Sequence, residues 1–236
     1  MLQTLGRRLY GKPDDHSNAQ RLPFGLYLKH TRELSESQNE FNALKLVRQH
    51  TSIPAPAPLD FVSVPNDLDG SSDAYILMST LPGEPLSRCR DVIGDVDFEQ
   101  MKFQMRDYLA QIRDIPQTVN PAMPICNTLG EAIRDTRVLG GEPAGSFPDE
   151  ASFSQVLRFS DDPARRGHNV VFCHADLNPR NILVHQHRRS DGSFGWWVSG
   201  IVDWEMAGYY PEYWDNTKAL FEGFRWPSRY NDWVGE

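Results

Sequence analysis

His174-Ala175-Asp176-Leu177-Asn178-Pro179-Arg180-Asn181-Ile182-Leu183-Val184, followed 27 positions after Asp176 by Ile201-Val202-Asp203-Trp204-Glu205, is the part of the chain that decides its fold. The surrounding pattern is extended. Val170 to His174 is a short apolar run, Asn181 to His185 a second and Trp196 to Val202 a third, and Asp191-Gly192 folds the last two into a hairpin. Asp176 and Asn181 therefore lie on and just beyond a polar turn, and Asp203 follows the next strand. Carboxylate and amide oxygens are the donors that hard divalent cations prefer, and a further carboxylate within reach of a hydroxyl can take its proton. An Asp, an Asn five residues later and a second Asp after the next strand are the set that Mg²⁺-dependent phosphoryl transfer requires.

The same residues have a plainer reading, because Asp176, Asn178 and Asn181 can form turns by bonding their own backbone. The strand, turn and strand around them, with Asp203 in place, favour the ligand and base roles. His174 reads as a structural hydrogen-bonding residue beneath the turn. His185-Gln186-His187 has no third ligand nearby and reads as solvated turn residues.

Upstream, Phe24 to His30 and Ala74 to Met78 are strand-like, with turn material from Asn66 to Asp73. Between them Phe41, Leu44 and Val47, widened by Ala43 and Leu46, mark a helix that Ser35 or Ser37 can cap. Ile53-Pro54-Ala55-Pro56-Ala57-Pro58 then imposes an extended path. Leu81-Pro82-Gly83-Glu84-Pro85 is the boundary between a first part, residues 1–81, and a second, residues 82–236. From Phe98 the positions Met101, Met105, Tyr108, Leu109, Ile112 and Ile115 hold one helical face up to Pro116. Residues 117–149 are rich in Gly and Pro and read as loop, and Phe153, Val156 and Leu157 mark a further short helix.

At 236 residues the chain is one large domain or two small lobes. Hydrophobic residues at 39% against 24% charged fill a core and exclude wholesale disorder. A net charge of −8 argues against a broad basic face for nucleic acid or anionic membrane. No apolar run is long enough to span a bilayer, and Arg7, Arg8, Lys12 and Asp14 occupy the place of a secretory signal's apolar core, so a cytoplasmic location is expected. Cys89, Cys126 and Cys173 form no C-x-x-C pair and are expected reduced and partly buried.

At the catalytic turn the sequence resembles the aminoglycoside phosphotransferase family of the protein-kinase-like fold, most of all its fungal members. His50 to Pro56, Tyr75 to Met78, Pro82-Gly83-Glu84 and Gly208-Tyr209-Tyr210-Pro211-Glu212-Tyr213-Trp214 extend that resemblance over roughly Phe24 to Trp226. It implies an α+β, two-lobed architecture: a small antiparallel-sheet N-lobe with one helix (residues 1–81) and a mainly helical C-lobe (82–236). It implies an ATP- and Mg²⁺-dependent enzyme that moves the γ-phosphate to a hydroxyl of a small molecule, with a catalytically inactive nucleotide-binding scaffold as the alternative. Asp176 would be the catalytic base, Asn181 and Asp203 the metal ligands, and Lys29 the group gripping the nucleotide phosphates. Glu40 would orient Lys29, and Met78, Ser79 and Leu81 would line the adenine. A D-F-G or A-P-E segment, which a protein kinase would carry, does not follow Asp203.

Several of these residues have alternatives. Lys29 can be an edge-strand lysine with its ammonium in water, and Glu40 can close a capping box, Ser37-Gln38-Asn39-Glu40. Glu205 can support the metal site or merely start a helix, and Tyr209, Tyr210, Tyr213, Trp214 and Trp226 read as core rather than as a substrate platform. Ala175 stands where the family usually has Gly, which reads as a mild change, and no G-x-G-x-x-G precedes Lys29. From Ser199 onward seven acidic residues face three basic ones, which favours a cationic or polyhydroxylated acceptor. With 33 residues after Asp203, the acceptor side is expected to be shortened.

Overall fold

A computed structural model describes residues 2–10, 18–65, 72–89, 91–157 and 166–221. The part up to Ser79 holds helix α1 (Leu2–Tyr10), strands β1 (Ala19–Leu22) and β2 (Leu26–Thr31), helix α2 (Leu34–His50), and strands β3 (Pro58–Pro65) and β4 (Ser72–Ser79). Its four strands form one antiparallel sheet in the order β1-β2-β4-β3. The elements that follow are β5 (Glu84–Pro85), α3 (Leu86–Cys89), α4 (Asp95–Arg113), β6 (Cys126–Asn127), α5 (Glu150–Ser154), β7 (Val170–Cys173), β8 (Ile182–Arg188), β9 (Phe194–Ile201), β10 (Gly208–Pro211) and α6 (Trp214–Phe221). They build two further three-stranded sheets, β6-β10-β7 and β5-β8-β9, so the α+β class holds and this part carries more sheet than expected.

Lys29 sits on β2 paired with Ala19 on one side and Ile76 on the other, so it is an interior rather than an edge position. Phe24 and Gly25, expected in that strand, instead turn the β1–β2 hairpin, both at positive φ (67° and 70°). On α2, Glu33 occupies the N-cap and no side chain caps the helix. Ser35 and Ser37 thus lie inside the first turn, where the Ser37 amide already bonds the Glu33 carbonyl. The expected serine cap and the capping box of Glu40 are both excluded by that start.

Helix α4 shows the expected face: Phe98, Met101, Met105, Tyr108, Leu109 and Ile112 are buried. Asp95 and Asp97 in its first turn and Arg113 in its last complement the helix dipole. One core cluster joins Leu44 and Val47 of α2 and Ile76 and Met78 of β4 to this face and to Ile182, Val184, Val198 and Ile201 of the β8–β9 hairpin. The proline-rich stretch runs between them and is fastened on both sides: the Ile201 amide bonds Pro54 O (2.9 Å), and the Ser79 amide bonds Ala57 O (3.0 Å).

Residues 117–149 are less open than their Gly and Pro content suggests. Bridges Ile125 to Phe147 and Ile133 to Ala144 tie the segment to itself, and these residues join Val138, Phe153, Tyr210 and Trp214 in a second core. Of the turn material expected from Asn66 to Asp73, Ser72 and Asp73 begin β4 instead, and residues 66–71, Trp226 and every acidic residue beyond Phe221 lie outside the described residues. Among the described residues all three cysteines are free and buried, and no helix is long and apolar enough to cross a membrane.

Gly83 is the tight point of the crossing between the two parts. Its φ is +110°, and a Cβ there would lie 2.5 Å from Val184 O and 2.5 Å from Ser199 Oγ. Ser199 Oγ donates to Pro82 O at 2.6 Å, which holds the crossing against the hairpin. Gly83→Ala is expected to cost about 2–4 kcal/mol, from the backbone conformation plus the overlap. A urea unfolding midpoint equal to that of the parent would show that the crossing is not held this way.

Candidate active site

Lys29 is only 6% exposed, and a buried ammonium needs anionic partners. It has three: Asp203 Oδ1 at 2.6 Å, Glu40 Oε2 at 2.8 Å and Glu205 Oε2 at 2.8 Å. Burial alone would lower the lysine's pKa, but Glu40, Asp203 and Glu205 outweigh it and hold it well above its usual value. Burial would raise the Asp203 carboxyl, but the Lys29 contact overrides it and keeps it low; Glu40, fully enclosed, is pushed up by burial despite Lys29. Glu205 is thus part of the cluster.

Asn39, next to Glu40, sets the register of α2 against this cluster. Its Nδ2 donates to the carbonyls of Glu205 and Ala207 (both 2.8 Å), and its Oδ1 accepts from the Thr128 amide (2.8 Å) and hydroxyl (2.7 Å). In the sequence Asn39 stands out only as a member of the string Ser37-Gln38-Asn39-Glu40.

The turn carrying Asp176 is held from below. The Asp176 amide donates to His174 Nδ1 (3.2 Å), so that nitrogen is an acceptor and the other, Nε2, donates to Val202 O (3.0 Å). With both ring nitrogens engaged and the ring packed on Trp204 at 4.5 Å, His174 has the structural role expected of it. Asp215 on α6 accepts from the His174 amide (3.1 Å) and the Ala175 amide (2.7 Å). Burial raises its carboxyl in spite of these donors. Asn178 is the turn residue of the plainer reading, since its side chain bonds Asp176 O (3.0 Å) and the Arg180 amide (2.9 Å).

Asn181 does something else. Its Nδ2 donates to Asp176 O (2.9 Å) and to Asp176 Oδ2 (3.0 Å), both acceptors, which fixes the amide's orientation and leaves Oδ1 as an acceptor atom. The Val202 amide bonds Asn181 O at 2.9 Å, so Asn181 and Asp203 are fixed side by side. Both line a cavity of about 530 Å³ together with Lys29, Glu40, Met78, Ser79 and Leu81. Oxygen donors from Asn181 and Asp203 facing one space suit a hard cation such as Mg²⁺. Arg21 and Arg88 bring further positive charge to the rim. The amides of Ser79 and Thr80 are already bonded to Ala57 O and Gly25 O, so they offer no donor to a ligand.

Asp176 Oδ1 meets Lys218 of α6, 1% exposed, at 3.3 Å. Neither Asp215 nor Lys218 stands out in sequence reading. With Trp214 and Ala219 they are the buried residues of α6, a spacing that marks one helix face. His185 and His187 lie on strand β8 rather than in a turn, His185 exposed and His187 against Trp197 at 5.2 Å. Tyr209, Tyr210 and Trp214 are core as expected.

The model of the phosphotransferase enzyme family matches residues 18–233. The chain belongs to this family. Solved structures of family character share the fold: aminoglycoside 2′-phosphotransferase-IIIa in its GDP complex superposes with a TM-score of 0.61 at 14% identity over 99% of this chain and 81% of that one. A thermostable mutant of aminoglycoside phosphotransferase APH(4)-Ia in its apo form gives 0.61 at 12% identity, over 99% and 80%. The APH(2″)-IIIa complex with GDP and kanamycin gives 0.59 at 14%, over 99% and 82%. No curated protein matches the chain. These matches define a phosphotransferase family and a kinase-like fold, and they single out no fungal subgroup.

Ala175 carries more strain than its size suggests. Its φ is +64°, a left-handed conformation that costs an L-residue about 1–2 kcal/mol. Ala175→Gly relieves that strain but loosens the unfolded chain and removes a methyl buried in the second core, so its net effect is expected to stay within about 1 kcal/mol. Denaturant unfolding measures it, and a loss above about 2 kcal/mol would contradict the strain.

Proposed function

We propose that the chain is an ATP- and Mg²⁺-dependent phosphotransferase acting on a hydroxyl of a small molecule. The observation that carries this reading is the meeting of Lys29, Asn181 and Asp203 in one cavity, with Asp176 hydrogen-bonded to Asn181. The nucleotide lies between the first sheet and the β8–β9 hairpin, which makes residues 1–81 and 82–236 the two lobes of a kinase-like molecule. Met78 and Leu81 flank the base, and the occupied amides of Ser79 and Thr80 narrow its backbone contacts to carbonyl oxygens and to Leu81. Lys29 engages the phosphates, with Glu40 and Glu205 holding its ammonium in place. Asn181 and Asp203 would hold Mg²⁺, which supplies positive charge to the phosphate oxygens.

Asp176 accepts the proton of the acceptor hydroxyl as that oxygen attacks the γ-phosphorus, while the bond from that phosphorus to the β,γ-bridging oxygen breaks and ADP leaves with its electron pair. Its Oδ2 is held by Asn181, which orients the carboxylate for an incoming group. The GDP, ADP, kanamycin and hygromycin B complexes of the structural neighbours support a nucleotide and a polyhydroxylated, cationic acceptor. The acidic excess after Ser199 supports it less, since Asp203 and Glu205 face Lys29 and Asp215 faces backbone amides.

With γ-labelled ATP, Mg²⁺ and a panel of amino sugars and polyols, the parent chain is expected to yield a labelled product. Asp176→Asn is expected to lower that yield about 10³-fold, the scale of a lost general base, while remaining folded because Lys218 keeps Thr136 at 3.2 Å. Equal turnover by the two proteins would sink the assignment.

A further inference from the structure

Lys218 is a buried lysine that the reaction as described does not use. Its ammonium reaches Asp176 Oδ1 at 3.3 Å, donates to Thr136 Oγ1 at 3.2 Å and lies 3.9 Å from Asp135 Oδ1. Asp135 is fully buried and is already gripped by Arg137, through Nη2 at 2.8 Å and Nε at 3.0 Å. Arg137 is fixed in turn by Trp214, 3.9 Å beneath its guanidinium, and by Thr217 Oγ1 at 2.9 Å. Two cations and two carboxylates thus share one enclosed network whose outermost carboxylate is Asp176.

Resting on the phosphotransferase reading, we propose that Lys218 is a positioning residue for the base. A lysine that served packing alone would sit closest to the fully buried Asp135; this one lies nearer to Asp176. Asn181 holds one carboxylate oxygen and Lys218 the other, so the side chain cannot turn about its Cβ–Cγ bond without breaking a contact. The two lone pairs of each oxygen still leave an acceptor site for the substrate hydroxyl. The ammonium also offsets the repulsion that a bare carboxylate would exert on an arriving phosphate, an effect that is strong at this distance and away from water. Asp135 and Thr136 belong to the segment that reads as loop in the sequence, and their role here is to hold Lys218 from behind.

Two measurements on the full chain test this. In an unfolding cycle of Lys218→Met, Asp176→Asn and the double variant, the unfolding constants of the single variants are expected to miss that of the double by about 10-fold, the mark of contacting residues. Additive constants would overturn the contact, and this readout needs no activity. In the Mg²⁺-dependent hydrolysis of ATP, with water as acceptor, Lys218→Met is expected to lose about 100-fold in kcat with KM for ATP within about 3-fold, as loss of orientation predicts. Lys218→Gln, which keeps an N–H donor on a stem one bond shorter and guards against a variant that fails to fold, is expected to recover part of that loss. Parent-like kcat in both variants, or a rise in KM alone, would overturn the proposal. A parent with no hydrolysis and no transfer would instead count against the phosphotransferase reading, leaving the unfolding cycle to decide whether Lys218 and Asp176 are coupled.

Discussion

A single ammonium among three carboxylates organises this molecule. Lys29 comes from the second strand, Glu40 from the helix behind it, and Asp203 and Glu205 from the chain more than 170 residues later. Lys29 and Glu40 are withdrawn from water while Asp203 and Glu205 stay partly exposed, and a buried charge such as the Lys29 ammonium costs about 3–5 kcal/mol if it loses its partners. Folding therefore has to bring the first sheet and the β8–β9 hairpin together at this point, and Asn39 and the proline-rich stretch fasten the approach from either side. The cluster is also unbalanced. Even with Glu40 pushed up by burial, Asp203 and Glu205 outnumber the one ammonium, and the three carboxyl groups lie close enough to share a cation. Such an excess is costly in a finished core and useful where a metal and its phosphates are to arrive.

The second constraint acts on the turn that carries Asp176. Backbone amides of His174 and Ala175 are buried, and Asp215 satisfies both with one carboxylate. That demand bends the chain into the left-handed conformation at Ala175, and a similar φ of 67° recurs at Asp203. Strain at two points beside the cavity persists because the surrounding bonds over-determine it. Helix α6 is thus as much part of the site as the turn itself, contributing Asp215 beneath the backbone and Lys218 beside the carboxylate.

What was legible in the sequence follows from how local each signal is. Strands β2, β4, β7, β8 and β9 and helix α4 are visible because alternation and three-to-four spacing are properties of neighbouring residues. The Asp176, Asn181 and Asp203 set is visible for the same reason, being two strands and the links around them. Helix α1 and strands β1, β3 and β10 are not: β1 and β10 have only four residues each, β3 begins and ends on proline, and α1 is interrupted by polar residues and a glycine. The start of α2 is misread because serines that are good caps in principle lie past Glu33, where the helix has already begun. Asp135, Arg137, Asp215 and Lys218 leave no local trace, since a charged residue looks solvated until its counter-charge is found across the fold. Ala175 is legible as a substitution for Gly, but its cost is not, because that depends on a φ that no composition reveals.

The seat proposed for a metal-bound nucleotide rests on Lys29, Asn181 and Asp203. Calorimetric titration of a non-hydrolysable ATP analogue into the parent and into Asp203→Asn, each with and without Mg²⁺, addresses it without reference to any acceptor. The parent is expected to show one site per chain that Mg²⁺ tightens, and Asp203→Asn an affinity at least about 10-fold weaker and indifferent to Mg²⁺, a difference of about 1.4 kcal/mol or more. Equal affinities in the two proteins, or no heat of binding in the parent, would contradict it.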